Sequence, residues 1–350
     1  MAFFGVTLEM LEHVWPHPGA DRLDLARLAG LAFQFVVGRG QHAPGERVLY
    51  FPVDALLPPS VAERLGVAGR LAGGAKNRVK TITLRGEISQ GLVGRPEALL
   101  GPDWDQRSWT PEELTAHLGV TKYEPPVSFS TAGLLHPLPD GVGVYDLDGA
   151  DRFPAAVEAL LDQPVYVTEK LEGTNFAAVR EPDGRLVFCQ RENAIEELPG
   201  TENLYCETAR RQGVPAFLEE LAARFPGQRL VLRGELIGPK VQGNPYGLSH
   251  PEVRFFDLKV DQRYLPPADF VALVPEARRV PVLCLGERTL REWLGGRTVQ
   301  QASDGESALK AGARREGLVV KPMTEQYCEA LHGRLVIKQR SPAYLAACEY

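Results

Sequence analysis

Lys170 follows a β-rich run, VYVTE at 165–169, and Gly173 stands three residues further on. A lysine at the end of a strand projects from the sheet into a cleft, and a glycine beside it lets backbone approach a phosphate closely. A lysine amine is nucleophilic when it is neutral, a form that nearby cations and a divalent metal favour. Lys-x-x-Gly alone is more often a surface lysine before a turn, so its meaning depends on the residues that accompany it.

Five further groups of polar residues follow Lys170 in order, each at or near the end of a β-rich run. Several strands that deliver charged residues to one place are typical of a nucleotide site built on a sheet. The groups are Gln190–Asn193, Arg233–Gly238, Phe255–Asp257, Glu316–Lys321 and Lys338–Arg340.

The elements that must position these groups indicate an α+β fold, because strands do not alternate regularly with helices. The predicted strands of this part lie at 165–169, 175–180, 185–190, 229–236, 253–260, 317–322 and 334–339. The predicted helices cover about 202–225, with a break near Pro215, and 153–162, 289–294 and 305–313.

The first 120 residues or so contain short strands with turn signals, typical of a small barrel or sandwich. Strands are predicted at 33–38, 47–53, 78–86 and 88–93. The last two form a predicted hairpin over 76–90, with a turn at Gly86-Glu87 and cationic side chains on one face.

The length of 350 residues indicates two domains. Prolines at 125, 126, 137 and 139 predict a connecting segment between them. We therefore predict an N-terminal domain over 1–125, a proline-rich connection over 126–139 and a second domain over 140–350.

The formal net charge of −6 disfavours a protein whose entire surface binds nucleic acid. Two stretches are nevertheless basic. Residues Arg70 to Gly86 contain five cations and no acid, and residues Lys310 to Arg340 contain seven cations and three acids. Such stretches are either solvated faces or parts of an electrostatic footprint for a polyanion.

The five cysteines are odd in number, widely scattered and form no Cys-x-x-Cys, which predicts reduced thiols rather than a zinc site. The N-terminus has no basic leader, and Glu9 and Glu12 interrupt its apolar stretch. No apolar run approaches the length of a membrane span. We predict a cytoplasmic protein, without membrane association or an obligate protein partner.

The six groups, taken in order, resemble the motifs of the covalent nucleotidyltransferases, which include ATP-dependent RNA and DNA ligases and mRNA capping enzymes. EKLEGTN and RGELIGPKVQGNPYG resemble RNA ligases more than DNA ligases. RVLYFPVDALLP and RVKTITLRGEISQGL resemble the N-terminal domain of one RNA-ligase clade, which seals nicks whose 3′-OH strand is RNA. The resemblance implies an ATP-grasp-like catalytic domain of antiparallel sheets with flanking helices, preceded by a small all-β OB-like barrel.

The resemblance also implies roles for individual residues in adenylate transfer. Lys170 would be the nucleophile, and Lys321, Lys338 and Arg340 would hold the α-phosphate. Arg340 replaces a lysine of the family, so its geometry differs from the usual one. Mg²⁺ or Mn²⁺ would be held by two carboxylates, those of Glu172 and Glu316.

Nucleotide and nucleic-acid contacts follow from the same resemblance. Glu235 would accept a hydrogen bond from the ribose, Phe256 or its neighbour Phe255 would stack on adenine, and Glu169 would read the adenine edge. Arg191 would bind the ribose or a 5′-phosphate end. The remaining candidates would contact nucleic acid: Asn175, Lys240, Arg78, Lys80 and Arg85.

The leading interpretation is therefore an ATP-dependent RNA ligase acting on RNA or RNA/DNA nicked duplexes. A DNA ligase or a GTP-using capping enzyme remains an alternative within the same superfamily. A catalytically silent nucleic-acid-binding protein on the same fold is a third reading. It is disfavoured because a pure binder has no need of a lysine nucleophile beside metal-binding acids.

Overall fold

Residues 3–123, 133–200 and 203–347 are described in the computed structural model of the chain. Two units are distinguished by their internal packing. One comprises Pro126–Ser341, and the other comprises Ala2–Pro125 together with Pro342–Tyr350. We call them the catalytic unit and the N-terminal unit. The C-terminal residues thus group with the N-terminal unit, whereas the sequence had assigned them to the second domain.

The N-terminal unit is built mainly from short strands. Its strands are β1 (Thr7–Pro16), β2 (Leu23–Leu28), β3 (Gln34–Gly38), β4 (Arg47–Phe51), β5 (Ala55–Leu56), β6 (Ile82–Leu84), β7 (Glu87–Ser89), β8 (Leu92–Gly94) and β9 (Thr121–Lys122). Its first helices are α1 (Pro59–Arg64), α2 (Pro96–Leu100) and α3 (Pro111–His117), with a 3₁₀ turn at Trp104–Gln106.

Five of these strands form an antiparallel sheet in the order β3-β2-β1-β4-β8. The sheet curls so that β3 returns to the segment around β7, where Ser89 Oγ accepts from the Val36 N–H at 3.0 Å and the Gln90 N–H donates to the Gln34 carbonyl at 3.0 Å. The result is a nearly closed barrel, as predicted.

The hairpin of the N-terminal unit is shorter than the predicted one. Only Ile82–Leu84 and Glu87–Ser89 pair, around a turn in which Arg85 and Gly86 have φ of 49° and 93°. Residues 78–80 run beside another segment instead, because the Val79 N–H donates to the Ala55 carbonyl at 2.8 Å. The strand predicted at 78–86 therefore begins four residues later.

The catalytic unit contains the remaining strands and most of the remaining helices. Its strands are β10 (Leu134–Pro137), β11 (Asp148–Gly149), β12 (Pro164–Lys170), β13 (Thr174–Arg180), β14 (Leu186–Cys189), β15 (Asn193–Glu196), β16 (Leu230–Ile237), β17 (Glu252–Val260), β18 (Arg263–Tyr264), β19 (Val282–Thr289), β20 (Glu306–Ser307), β21 (Lys310–Arg314), β22 (Gly317–Pro322), β23 (Tyr327–Cys328), β24 (Gly333–Arg334) and β25 (Ile337–Arg340). Its helices are α4 (Pro154–Leu161), α5 (Leu204–Arg211), α6 (Val214–Ala222), α7 (Pro267–Leu273), α8 (Leu290–Leu294) and α9 (Val299–Ser303), with 3₁₀ turns at Glu276–Arg278 and Glu329–Leu331.

Two sheets form the body of the catalytic unit. A seven-stranded sheet has the order β10-β15-β14-β13-β16-β17-β18, and a five-stranded sheet has the order β11-β25-β22-β12-β19. Helices α5, α6 and α7 pack on one face of the first, and α4, α8 and α9 pack on one face of the second. The α+β class and the antiparallel sheets with flanking helices are as predicted.

Because side chains alternate along a strand, the five-stranded sheet has one apolar face and one face that carries polar and charged residues. The residues that pack against α4, α8 and α9 are Val165, Val167, Leu318 and Val320. The intervening residues of the same two strands line a cleft: Tyr166, Thr168, Lys170, Val319 and Lys321.

Most predicted helices are confirmed, including the break between α5 and α6, where Gly213 is left-handed and Pro215 opens the second helix. The helix predicted at 305–313 is wrong. Those residues form the β20–β21 hairpin, because Gly305 and Gly312 have φ of 153° and 79° and bend the backbone.

The predicted proline-rich connection lies partly outside the described residues, which resume at Gly133. Its second half contains β10, an edge strand that pairs antiparallel with β15. The last helix, α10 (Pro342–Ala347), packs on the β6–β7 hairpin of the N-terminal unit.

Candidate active site

The cleft lies between the two sheets of the catalytic unit and has a volume of about 270 Å³. Residues from β12, β13, β16, β17, β22 and β25 contribute to its lining. Eight of the residues singled out in the sequence line it: Glu169, Lys170, Asn175, Arg191, Glu235, Phe256, Lys321 and Lys338. The fold therefore brings together side chains that are up to 169 positions apart, from Glu169 to Lys338.

Lys170 lies at the end of β12, and its Nζ donates to Glu316 Oε1 at 2.6 Å. The next residues carry the chain from the five-stranded sheet to β13 of the other sheet. Gly173 makes this crossing possible, because a Cβ there would lie 2.4 Å from the Leu236 carbonyl oxygen. The glycine is thus required by packing against β16, and its predicted approach to a phosphate stays a prediction.

Lys321 is 3 % exposed and forms an ion pair with Asp257 Oδ1. The other Asp257 oxygen accepts from the Tyr145 hydroxyl at 2.6 Å and from Arg334 at 3.1 Å, and Arg334 lies over the ring of Tyr264. Burial alone would raise the pKa of Asp257, but the two cations outweigh it and hold that pKa below its usual range. Lys321 is therefore fixed at the cleft wall by a fully bonded carboxylate.

Asp146 joins two of the cleft cations. Its Oδ2 accepts from Arg191 at 3.0 Å and its Oδ1 accepts from Lys338 Nζ at 3.2 Å. Burial lowers the pKa of Lys338, and the Asp146 carboxylate opposes part of that shift. One carboxylate thus holds a cation from β25 next to a cation from the β14–β15 turn.

Phe256 reaches the cleft through an irregularity of β17. The pairing of β16 with β17 shifts between Arg233 and Gly234, which leaves Phe256 as the extra residue of a β-bulge. Phe255 packs instead in the core beneath the seven-stranded sheet and is 1 % exposed. Of the two adjacent aromatics, the cleft therefore exposes Phe256, whose ring lies 4.9 Å from that of Tyr145.

Three buried polar atoms on the cleft lining have no hydrogen-bond partner among the described residues. They are Glu169 Oε1, Asn175 Oδ1 and the Tyr166 hydroxyl. A buried polar atom without a partner is costly, so such atoms mark places where a ligand supplies the missing bond.

Glu235 contributes a second carboxylate to the cleft. Burial raises its pKa to about 8, although the nearby Lys170 lowers it in part. A carboxyl group in this state is protonated at neutral pH and can both donate and accept a hydrogen bond.

Four of the predicted site residues of the catalytic unit do not line the cleft. Glu316 is one of them, although its carboxylate contacts Lys170 Nζ. Glu172 is 5 % exposed, and its Oε1 accepts from the Gly243 N–H at 3.0 Å. Lys240 is exposed in the turn after β16, with φ of 68°. Arg340 is half-buried at the end of β25, where its charge acts on Asp151. Their predicted roles stay predictions.

Three predicted nucleic-acid contacts lie in the N-terminal unit. The Arg78 guanidinium pairs with Asp54 at 2.8 Å and lies over the ring of Tyr123 at 3.6 Å, so it is engaged within its own unit. Lys80 is half-buried beside it, and Arg85 is exposed in the tight turn of the hairpin.

Sequence reasoning missed Tyr145, Asp146 and Tyr166 as cleft residues. The period-2 pattern of β12 could have indicated Tyr166, since it lies four positions before Lys170 on the same face. Tyr145 and Asp146 lie outside any strand or helix and have no periodic signal.

Divalent cations such as Mg²⁺ and Mn²⁺ take oxygen ligands and keep several waters, so one or two carboxylates suffice. Glu316, in contact with the predicted nucleophile, provides such a carboxylate. Across the described residues, no group of three or more His, Cys, Asp or Glu side chains is arranged around a common point. The residues thus fit an ion that is held partly by its substrate.

Two antiparallel sheets around this cleft, with helices on their outer faces and a nearly closed OB-like barrel before them, define a nucleotidyltransferase fold. The family model for RNA ligases matches residues 163–339, and a model for an OB-fold domain matches residues 5–95. The chain therefore belongs to the RNA ligase family.

Solved structures of the Naegleria gruberi RNA ligase are similar over nearly the whole chain. A variant with ATP and Mn has 25% identity and a TM-score of 0.79, with 99% of each chain covered. The ligase with PPi has 26% identity and a TM-score of 0.78, with 98% of each chain covered. A variant with AMP and Mn has 25% identity and a TM-score of 0.78, again over 98% of each chain. No curated protein matches by sequence.

Within the described residues, no helix is long and apolar enough to cross a membrane.

Proposed function

We propose that this chain is an ATP-dependent RNA ligase that joins 3′-OH RNA ends to 5′-phosphate ends, at nicks in duplexes, through lysyl-AMP and adenylylated nucleic-acid intermediates. The observation that carries the proposal is the position of Lys170. It lies on the wall of a cleft that also presents other cations and three polar atoms in need of partners. A nucleotide supplies both the negative charge and the hydrogen-bonding groups that this lining lacks.

In the first step, Lys170 Nζ attacks the α-phosphorus of ATP. A nitrogen–phosphorus bond forms, the bond from the α-phosphorus to the bridging oxygen breaks, and pyrophosphate leaves. The amine must lose a proton before it attacks, and the Glu316 carboxylate is in contact with it at 2.6 Å. Lys338 and Lys321 lie at the same cleft and would stabilise the charge that builds on the phosphate.

Glu316, with Glu172 as the predicted second carboxylate, would hold Mg²⁺ or Mn²⁺. When bound, the ion would neutralise phosphate charge and favour the neutral lysine. The Naegleria structures with ATP and Mn support this use of nucleotide and metal. The Glu172 carboxylate also accepts from the Gly243 N–H, so a metal there would share it with that bond.

The nucleoside contacts follow from the lining. Phe256 would stack on the adenine, Glu169 Oε1 would accept from the adenine amino group, and Glu235 would bond the ribose. Arg191 would bind the ribose or a 5′-phosphate end. Arg340 would add positive charge behind Lys338.

RNA would be held by Asn175 at the cleft, by the exposed Lys240 and by the hairpin region of the N-terminal unit. Lys80, just before the hairpin, and Arg85, in its turn, are predicted phosphate contacts, whereas Arg78 pairs with Asp54. Phosphate contacts of this kind position a duplex without reading its sequence.

The four described cysteines are free and buried. Burial raises the pKa of Cys189 and of Cys206 to about 12, which keeps both thiols unreactive. This chemistry supports a reducing compartment, and we place the protein in the cytoplasm. The fifth cysteine, Cys348, lies outside the described residues.

The test combines labelling with ligation. The protein is incubated with α-labelled ATP and Mg²⁺ or Mn²⁺, and an acid-labile protein adduct is expected. The labelled protein is then given nicked duplexes whose 3′-OH strand is RNA or DNA, and preferential sealing of the RNA nick is expected. Labelling by GTP as efficient as by ATP would favour a capping-type enzyme, and sealing of DNA alone would favour a DNA ligase. Absence of any adduct would favour a nucleic-acid-binding protein without catalytic activity.

A further inference from the structure

The β20–β21 hairpin touches the Glu169 carboxylate, whose Oε1 has no hydrogen-bond partner among the described residues. The Ala308 N–H donates to Glu169 Oε2 at 2.8 Å. Burial raises the pKa of Glu169, and the adjacent Ser307 hydroxyl and the Ala308 N–H lower it in part. Ser307 Oγ in turn accepts from the Leu309 N–H at 3.1 Å, so the hydroxyl is itself oriented. Glu169 is 1 % exposed, so no water shell competes with these bonds.

The hairpin is also anchored to the cleft by apolar packing. Leu309 belongs to the same apolar cluster as Leu171, Val280 and Phe256, three residues that line the cleft. On the other side of the hairpin, Arg315 donates to the carbonyls at the end of α9. The segment 307–309 is therefore held in place from both ends.

The Ala308 bond to Oε2 leaves Oε1 as a buried acceptor that lines the cleft without a partner among the described residues. Adenine presents an amino donor at its C6 edge, whereas guanine and hypoxanthine present a carbonyl acceptor there. A fixed carboxylate oxygen pairs with the first and repels the second. A site that requires a hydrogen bond discriminates strongly against an analogue that cannot make it.

We propose that Ser307 and Ala308 position the Glu169 carboxylate so that its free oxygen selects adenine over guanine and hypoxanthine. The inference rests on the proposed adenylation at Lys170 and adds a specificity device to it. Ser307 and Ala308 are positioning residues, because they act through Glu169. Without the Ser307 hydroxyl, the carboxylate can rotate and the fixed acceptor is lost.

The test measures lysyl-nucleotide formation with ATP, GTP and inosine triphosphate, and compares their kcat/KM values. Inosine triphosphate has the C6 carbonyl of guanine but not its C2 amino group. It therefore separates the effect of the C6 carbonyl from the effect of the larger base. Ser307→Ala is expected to lower the ratio of ATP to inosine triphosphate about tenfold, the usual effect of one lost hydrogen bond. Ser307→Thr, which keeps a hydroxyl, is expected to retain the ratio.

Glu169→Gln provides the second variant, since an amide can turn its NH₂ toward a carbonyl edge. It is expected to raise labelling by inosine triphosphate relative to ATP more than Ser307→Ala does. Ser303→Ala is the matched control, because Ser303 is also buried and its hydroxyl donates to the Gln300 carbonyl on α9. A purely structural loss would lower kcat/KM equally for all three nucleotides.

Two failures are distinguishable. If the unmodified protein forms no adduct with any nucleotide, the proposed function fails. If it is labelled by ATP but Ser307→Ala and Glu169→Gln both keep its nucleotide ratio, the adenylation stands and the inference from the hairpin is overturned.

Discussion

The cations of the cleft and the cations of the N-terminal hairpin region differ in their surroundings. In the cleft, Lys170, Lys321 and Lys338 each contact a carboxylate from a distant part of the chain. In the hairpin region, Arg85 is exposed and lies in a two-residue turn. The first group is buried or half-buried and oriented by its carboxylates, whereas Arg85 is exposed to solvent.

This contrast separates two uses of positive charge. A buried, paired cation is fixed in one geometry, as stabilisation of a transition state requires. An exposed cation attracts a polyanion over a distance and is screened by salt. Arg78 shows that the role of a charge cannot be inferred from the sequence alone. It lies in a stretch without acidic residues, yet Asp54 from another segment forms an ion pair with it.

The largest effect is expected at Lys170. Lys170→Ala should abolish adduct formation with α-labelled ATP, and Lys170→Arg should not restore it, because a guanidinium stays protonated. Circular dichroism and thermal unfolding check that both variants remain folded. Undiminished labelling of either variant would show that Lys170 is not the nucleophile. The cleft cations would then have no demonstrated catalytic use to compare with the hairpin cations.

The next effect concerns Lys338. Lys338→Ala should slow adduct formation about 10²–10³-fold, because one contact to the charge that builds on the phosphate is lost. Single-turnover labelling measures this rate. A loss of less than about threefold would place Lys338 among the solvated cations rather than the catalytic ones.

A third effect follows from the raised pKa of Glu235. Between about pH 5 and pH 8 the folded protein retains a proton that the unfolded chain has released, so stability falls as the pH rises. Glu235→Gln removes this dependence and should gain on the order of 1–3 kcal/mol relative to the parent protein over that range. Chemical unfolding at several pH values measures the difference, with the exposed Glu220→Gln as control. A difference that does not change with pH would refute the raised pKa.

The smallest effect is expected in the hairpin region. A Lys80→Glu, Arg85→Glu double variant should weaken binding to a nicked duplex and make the dependence of log affinity on log salt shallower by about two. Arg78→Gln should instead lower the thermal stability, because the ion pair with Asp54 is lost. Binding by the double variant that equals the parent at every salt concentration would mean that these cations serve solubility only.

Much of the fold could be predicted because successive side chains of a strand alternate between its two faces. Leu318 and Val320 alternate with Val319 and Lys321, so one face had to be apolar and the other had to be available to chemistry. The segment 305–313 could not be predicted in this way. Its alanines, leucine and lysine favour a helix locally, but turn geometry at Gly305 and Gly312 and the bond to Glu169 override that preference.

The site was predictable where a residue lies on a patterned strand and not where it lies in a loop. Lys170 and Glu235 lie on strands, and both line the cleft as the strand pattern indicates. Asp146 contacts two cleft cations from an irregular segment, and its partners are 45 and 192 positions away. A single sequence contains no local signal for such a pairing.

The packing of α10 on the β6–β7 hairpin has a consequence for the order in which the chain can fold. The N-terminal unit receives its last helix only after the whole catalytic unit has been synthesised, since Ser341 directly follows β25 and precedes α10. During translation the β6–β7 hairpin therefore lacks its covering helix until the end of the chain has been synthesised. A fragment that stops at residue 125 would lack α10, so its β6–β7 hairpin would stay uncovered by that helix.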